Sequence, residues 1–147
     1  MTHFYQLDEA NACLAELEPI LLGLRDQRAE LIRLRDTVLE SDPDIRAASE
    51  TGGTPAGRPE RPSAADPALR LARLRMQGLI DQMQAGVARI DALEVVLRDI
   101  ETGLIDFPAL VSGRQVWLCW RLGEPAIGWW HELTSGVAGR RAIMDLA

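Results

Sequence analysis

The chain has 147 residues, of which 47% are hydrophobic and 26% are charged, and its net charge is -6. This length predicts a single domain, residues 1–147, with a core of its own. No apolar run approaches the roughly 18 to 20 residues of a membrane span, and the acidic N-terminus lacks the features of a secretion signal. We therefore expect a cytoplasmic protein that does not enter membranes. Arginines interleaved with acids on a net acidic chain also argue against nucleic-acid binding.

Residues 7–41 carry the pattern of an amphipathic helix. Their apolar residues follow a spacing of three and four, with acids early and arginines late, which suits the helix dipole. Asp8 is the expected N-cap of this helix. The apolar positions that define the pattern are Leu14, Leu17, Leu21, Leu24, Leu31 and Val38.

A second helix is predicted over residues 67–102, after a flexible connector at residues 42–66 that is rich in Pro, Gly, Ala and Ser. Asp66 and Pro67 supply an N-cap and a proline at the first helical position. Apolar residues recur every seven positions on two adjoining rows, as in a coiled coil. The rows are Leu69, Met76, Met83, Ile90 and Leu97, and Ala72, Leu79, Gly86, Leu93 and Ile100. The two predicted helices have similar lengths, which favours an antiparallel hairpin. Their apolar stripes are wider than two helices can cover, which favours a homodimer.

From residue 103 to residue 147 the period changes to that of β-structure. Three short apolar segments, 104–111, 115–122 and 126–133, are separated by turns, which predicts an antiparallel meander packed on the hairpin. Pro108 makes the first strand an edge strand or an irregular segment. The predicted fold class is therefore α+β.

The residues that could carry chemistry are concentrated in this Trp-rich segment. A cysteine, a histidine and two carboxylates could ligate a divalent metal such as zinc, although their spacing matches no compact zinc motif. The candidate metal ligands are Asp106, Cys119, Glu124 and His131. Cys119 and His131 could alternatively form a nucleophile pair. The simpler interpretation makes Cys119 a small apolar residue and His131 a hydrogen-bond donor to a neighbouring oxygen.

The register of the second hairpin decides between these interpretations. If Gly123 and Glu124 form a two-residue turn, Cys119 lies opposite Gly128, and His131 points to the other face. One more residue in the loop places Cys119 beside Trp129, on the same face as His131. The sequence does not choose between the two registers.

The tryptophans cannot all point into one core, because neighbouring strand residues face opposite ways. At least one should lie at a dimer interface or form a stacking surface for a flat ligand. The loop at residues 135–141 offers backbone amides and the guanidinium groups of Arg140 and Arg141, which could hold a phosphate or a carboxylate, although an ordinary loop is the simpler interpretation. The candidate ligand-binding residues are Trp117, Trp120, Trp130, Arg114 and Arg140.

The order of motifs in this segment resembles the bacterial domain-of-unknown-function family DUF2203. The motifs are Asp106-Phe107-Pro108, Gly113-Arg114, Leu118-Cys119-Trp120, Gly123-Glu124, Trp130-His131-Glu132 and Gly139-Arg140, together with the N-terminal run FYQLDEANACLAELEPIL. The resemblance covers nearly the whole chain apart from the connector and implies a small prokaryotic protein without an assigned activity. The resemblance supports a shared importance of the polar residues in these motifs, but it assigns none of them a role. Gln6 departs from the hydroxyl residue that the family prefers as helix cap.

Two hypotheses follow for function, and neither includes a complete catalytic signature. The first is a self-associating, non-enzymatic interaction protein, based on the heptad pattern. The second is a metal-binding or small-ligand-binding protein, hydrolytic in one version, that uses Cys119, Glu124 and His131.

Overall fold

The structure is a computed structural model that describes residues 2–41 and 66–146. Within these residues, two α-helices, α1 (Leu7–Ser41) and α2 (Pro67–Ala92), precede a single antiparallel sheet. The sheet has five strands in sequential order: β1 (Val96–Asp99), β2 (Leu104–Val111), β3 (Arg114–Arg121), β4 (Trp129–His131) and β5 (Arg141–Ala142). The predicted α+β class, with a helical hairpin and a β meander, is confirmed.

The described residues divide into two compact units. One contains residues 2–26 and 84–146, and the other contains residues 27–41 and 66–83. The prediction of a single domain stays a prediction, and the predicted connector lies outside the described residues except for Asp66. Nowhere in the described part of the chain is a helix long and apolar enough to cross a membrane.

The start of each helix is fixed by a local hydrogen bond. In α1 the Gln6 N–H donates to Glu9 Oε1 (3.4 Å), and the Gln6 carbonyl accepts the first helical bond, from Ala10. Gln6 is therefore the cap, and Asp8, the predicted cap, lies inside the first turn. In α2 Asp66 caps as predicted, because its Oδ1 accepts from the N–H of Ala68 at 3.0 Å.

In the unit of residues 27–83, side chains join the two helices in antiparallel order. Arg75 donates two hydrogen bonds to the Glu30 carboxylate, at 2.8 and 3.0 Å. Gln27 and Gln82 are joined at 3.4 Å. Later positions of α1 thus meet earlier positions of α2, as in a hairpin.

The second helix ends ten residues earlier than predicted, at Ala92 instead of residue 102. Val95 N–H donates to the Ile90 carbonyl and Glu94 N–H to the Asp91 carbonyl, which is the Schellman pattern of a helix end. Glu94 has the left-handed φ of 58° that this pattern requires and that glycine usually supplies. Leu97, a heptad position, therefore lies in β1.

The prediction that Pro108 marks an edge strand is wrong for the strand as a whole, because β2 lies between β1 and β3. The β1 ladder ends at the pair Val96 and Asp106, so Pro108 lies beyond it. The Pro108 carbonyl points to that uncovered side and accepts from the Tyr5 N–H at 2.7 Å. A missing N–H at this position costs no ladder hydrogen bond.

The predicted turn between the first two long strands is present. Ser112 and Gly113 both have positive φ, 52° and 77°, which is the two-residue turn that suits a twisted hairpin. The turn sets the pairing of β2 with β3, in which Asp106 lies opposite Cys119. This pairing places the first two candidate ligands side by side.

Candidate functional site

The pairing of β3 with β4 corresponds to the longer loop, which has one residue more than a two-residue turn at Gly123 and Glu124. Trp117 pairs with His131, and Cys119 pairs with Trp129. Side chains alternate along strands, so Asp106, Cys119 and His131 all project from one face of the sheet. We call these three residues the polar triad.

The polar triad is buried within a single chain. Asp106, Cys119 and His131 are 1%, 0% and 2% exposed, and one ligand atom from each lies within 4.8 Å of the others. Asp106 is on β2 and His131 on β4, with Cys119 on the strand between them. His131 Nε2 nevertheless lies 3.0 Å from Asp106 Oδ2. A small residue at position 119 leaves room for the two side chains to meet across β3.

Both ring nitrogens of His131 face oxygen atoms. Nδ1 lies 2.8 Å from the Glu132 carbonyl. A carbonyl oxygen only accepts, so Nδ1 carries the proton. Nε2 lies 3.0 Å from Asp106 Oδ2, so a proton lies between these two acceptor atoms when no metal ion is bound, and a metal ion would take its place. A histidine that donates through one nitrogen to a backbone carbonyl and offers the other is typical of metal sites.

The two oxygens of Asp106 have different surroundings. Oδ2 accepts from Arg98 Nε at 2.8 Å and lies beside His131. Among the described residues, Oδ1 has no hydrogen-bond partner, although it is buried. A buried carboxylate oxygen without a donor is costly, which makes it a site where a cation can bind. Arg98 also lies over the Trp117 ring, 5.0 Å from its centroid.

Cys119 is held as a neutral thiol in the metal-free protein. Burial, followed by the negative charge of Asp106, raises the pKa of Cys119 from 9.0 to about 12, and the positive charge of Arg140 opposes this shift. A neutral thiol is a poor nucleophile, and His131 has both nitrogens engaged elsewhere. The geometry therefore does not support the Cys119 and His131 nucleophile pair. A metal ion would instead take Cys119 as thiolate.

Glu124 is the predicted metal ligand that does not join the polar triad. Its Oε1 accepts from Arg140 and from the Arg121 N–H, both at 2.7 Å. Its charge contributes to the raised pKa of Cys119, so it is near the site, but two donors already occupy its Oε1. We assign Glu124 to holding Arg140, whose guanidinium carbon lies 5.1 Å from the centroid of the Trp129 ring.

The predicted ligand-binding residues are divided between the two faces of the sheet. Trp120 and Trp130 are buried on the face opposite the polar triad, and Trp120 Nε1 donates to the Glu124 carbonyl at 3.0 Å. Arg114 is paired with Glu132 at 2.6 Å. Only Trp117 and Arg140 lie on the side of the triad. The two tryptophans opposite belong to the core of this unit and cannot form a wall of the same site.

Arg98 and Trp129 were missed by the sequence reasoning. Arg98 fell inside the predicted second helix, where it would have been one more surface charge. The adjacent β-branched residues Val95 and Val96 were the signal for a strand there. Trp129 was assigned to neither set, although the longer loop placed it beside Cys119.

A family model described as an uncharacterized conserved protein (DUF2203) matches residues 3–143. Neither a curated protein nor a solved structure matches the chain.

Proposed function

The chain belongs to the DUF2203 family, and we propose that it binds one transition-metal ion, zinc being the best fit, through Asp106, Cys119 and His131. The observation that carries the proposal is the convergence of three different ligand side chains, all buried, to within 4.8 Å. Exposed acidic residues often cluster without binding a metal. Burying a carboxylate, a thiol and an imidazole together, in contrast, costs desolvation free energy. A bound cation offsets that cost.

The chemistry of the donors favours zinc over calcium or magnesium. Calcium and magnesium prefer oxygen ligands, whereas one sulfur, one nitrogen and one oxygen suit zinc and other late transition metals. The unpartnered Asp106 Oδ1 and the His131 Nε2 are the oxygen and nitrogen that the ion would take. A free thiol at Cys119 also fits the cytoplasm, where thiols stay reduced and where we propose that the protein acts.

Residues around the triad would orient the ligands. The Glu132 carbonyl fixes His131 through Nδ1, and Arg98 fixes Asp106 through Oδ2. Outer contacts of this kind commonly change metal affinity by about 10- to 100-fold when removed. Three protein ligands leave the fourth position of a tetrahedral ion for water, as in catalytic zinc sites. A more specific version of the proposal is that such a metal-bound water would hydrolyse a substrate.

Zinc binding by untagged protein tests the proposal. The full chain is titrated against a chromophoric zinc chelator at pH 7.5, and the expected result is one ion per chain. Cys119→Ala should weaken binding at least tenfold, because it removes one of three ligands. Cys13→Ala is the matched control, since Cys13 lies on α1 outside the triad, and it should bind like the wild type. Equal affinity of the wild type and Cys119→Ala, or no binding by either, would contradict the proposal.

A second proposal, self-association, is supported by exposed leucines in the unit of residues 27–83. Leu71 and Leu74 are 66% and 64% exposed on α2, and a spacing of three places them on one face of the helix. Leu39 on α1 is also exposed. Burying a leucine contributes about 1.5 to 3 kcal/mol, so a second copy that covers this face gains several kcal/mol. We propose that the partner is another copy of the chain, as a homodimer.

Light scattering coupled to size-exclusion chromatography at micromolar concentration tests this second proposal. The wild type should have twice the chain mass, and the double variant Leu71→Glu, Leu74→Glu should be monomeric. Leu110→Glu is the control, because Leu110 is exposed in the other unit, and it should remain dimeric. A monomeric wild type excludes the homodimer.

A further inference from the structure

Arg140 has a buried donor without an acceptor beside the polar triad. Its side chain is only 14% exposed, and its terminal nitrogen Nη2 donates to Glu124 Oε1 at 2.7 Å. Its Nε is buried and has no hydrogen-bond partner in the part of the chain that the structure describes. A buried donor without an acceptor costs free energy, and the cost is larger for a charged guanidinium than for a neutral group. The position therefore favours binding of a ligand that supplies an acceptor.

Two contacts fix Arg140 on the side of the sheet where the triad lies. The guanidinium lies over Trp129, which is the register partner of Cys119 on the same face. Glu124 holds its other end, and the Glu124 carboxylate is fixed in turn by the Arg121 N–H. The arginine is thus held in place before any ligand binds, which lowers the entropy cost of binding.

We propose that Arg140, together with the open coordination position of the metal, binds a small oxyanion group, either a phosphate or a carboxylate. This inference rests on the metal site proposed above. A tetrahedral ion with three protein ligands has one position for an exogenous oxygen. The Arg140 Nε–H supplies a charge-assisted hydrogen bond to a second oxygen of the same group.

The charges around the triad agree with an anionic ligand. Arg98 and Arg140 balance Asp106 and Glu124. A divalent ion bound with one cysteine thiolate adds one net positive charge, and a singly charged anion cancels it. The limited exposure of Arg140 and the burial of the triad restrict the ligand to a small group, such as inorganic phosphate or the carboxylate end of a larger molecule.

Cobalt-substituted full-length protein tests the inference, because cobalt reports its ligands by absorption. Inorganic phosphate and acetate are added separately at millimolar concentrations, and the ligand-field bands are followed. A saturable change with either anion supports the inference, and the anion that acts identifies the oxyanion. Arg140→Gln should weaken that response about tenfold or more while the thiolate-to-cobalt charge-transfer band remains.

Two further variants separate the outcomes. Arg140→Lys keeps the positive charge and a partner for Glu124 but lacks Nε, so it should show the same loss even if Arg140→Gln folds poorly. Arg141→Gln is the control, because Arg141 lies over Trp130 on the opposite face, and it should respond like the wild type. A normal charge-transfer band with ligand-field bands insensitive to both anions overturns the anion inference and leaves the metal proposal standing. Absence of the charge-transfer band overturns both.

Discussion

Raising the pH of the metal-free protein should destabilise it through Cys119. The folded protein keeps this thiol protonated up to a pKa of about 12, whereas the ordinary value, 9.0, applies to the unfolded chain. Above pH 9 the unfolded chain therefore binds fewer protons than the folded protein, and the free energy of unfolding falls as the pH rises. The stabilising contribution is complete below pH 9 and is lost progressively between pH 9 and pH 12.

The size of this effect follows from the two pKa values. At pH 10, one unit above the unfolded value, the loss from Cys119 is about 1.4 kcal/mol, and at pH 8 it is close to zero. The pKa values of Tyr5 and Cys13 are also raised by burial, so these groups add to the alkaline loss. Both groups remain in Cys119→Ala, and the difference between the two proteins isolates Cys119.

Urea unfolding at pH 8, 9 and 10, followed by tryptophan fluorescence with chelator present, measures the effect. The wild type should lose about 1.4 kcal/mol more than Cys119→Ala between pH 8 and pH 10. Equal losses of unfolding free energy in the two proteins would show that Cys119 ionises in the folded protein as readily as in the unfolded chain, contrary to the raised pKa.

Three further substitutions test the triad and the end of α2, each by urea unfolding. Asp106→Ala removes the buried partner of His131 and Arg98 and should cost about 3 to 5 kcal/mol; a cost below 1 kcal/mol would contradict the buried pairing. Cys119→Leu should cost about 1 to 3 kcal/mol more than Cys119→Ala, because the larger side chain intrudes between Asp106 and His131; equal stability of the two variants would show that the position has spare room. Glu94→Gly should stabilise the protein by up to about 1 kcal/mol, since glycine adopts the left-handed φ without strain. A loss of stability would show that the hydrogen bond which the His3 N–H donates to Glu94 Oε2 contributes more than the strain costs.

The elements with strong local signals were predictable from the sequence. Apolar spacing of three and four gave the range of α1, and Asp66-Pro67 gave the start of α2. Ser112-Gly113 gave the first hairpin turn. In each case the residues that determine the structure are neighbours in the chain, so no tertiary contact had to be known.

The end of α2 was not predictable, because its signal was atypical. Glycine usually occupies the left-handed position that closes a helix, and here Glu94 occupies it. The heptad pattern continued through Leu97 by coincidence and hid the short strand β1. That error also removed Arg98 from consideration, since its role depends on pairing of β1 with β2.

The site was predicted in part, for a physical reason that concerns register. Asp106, Cys119 and His131 were all recognised as ligand types, but one residue of loop length decides whether Cys119 and His131 share a face. In the observed register, a tertiary contact holds the loop, because the Ile127 N–H donates to Asn11 Oδ1 at 2.9 Å. Such a contact joins α1 to the loop before β4 and leaves no trace in the local sequence.

X-ray absorption spectroscopy at the zinc edge, on full-length protein loaded with one equivalent of zinc, identifies the ligands of the ion. If Asp106, Cys119 and His131 bind zinc, the spectrum should show a four-coordinate ion with one sulfur at about 2.3 Å and the remaining nitrogen and oxygen ligands at about 2.0 to 2.2 Å. The sulfur contribution should disappear in Cys119→Ala and persist in Cys13→Ala. A spectrum of the wild type without sulfur, or one that Cys119→Ala leaves unchanged, would contradict the assignment of Asp106, Cys119 and His131 as a metal site.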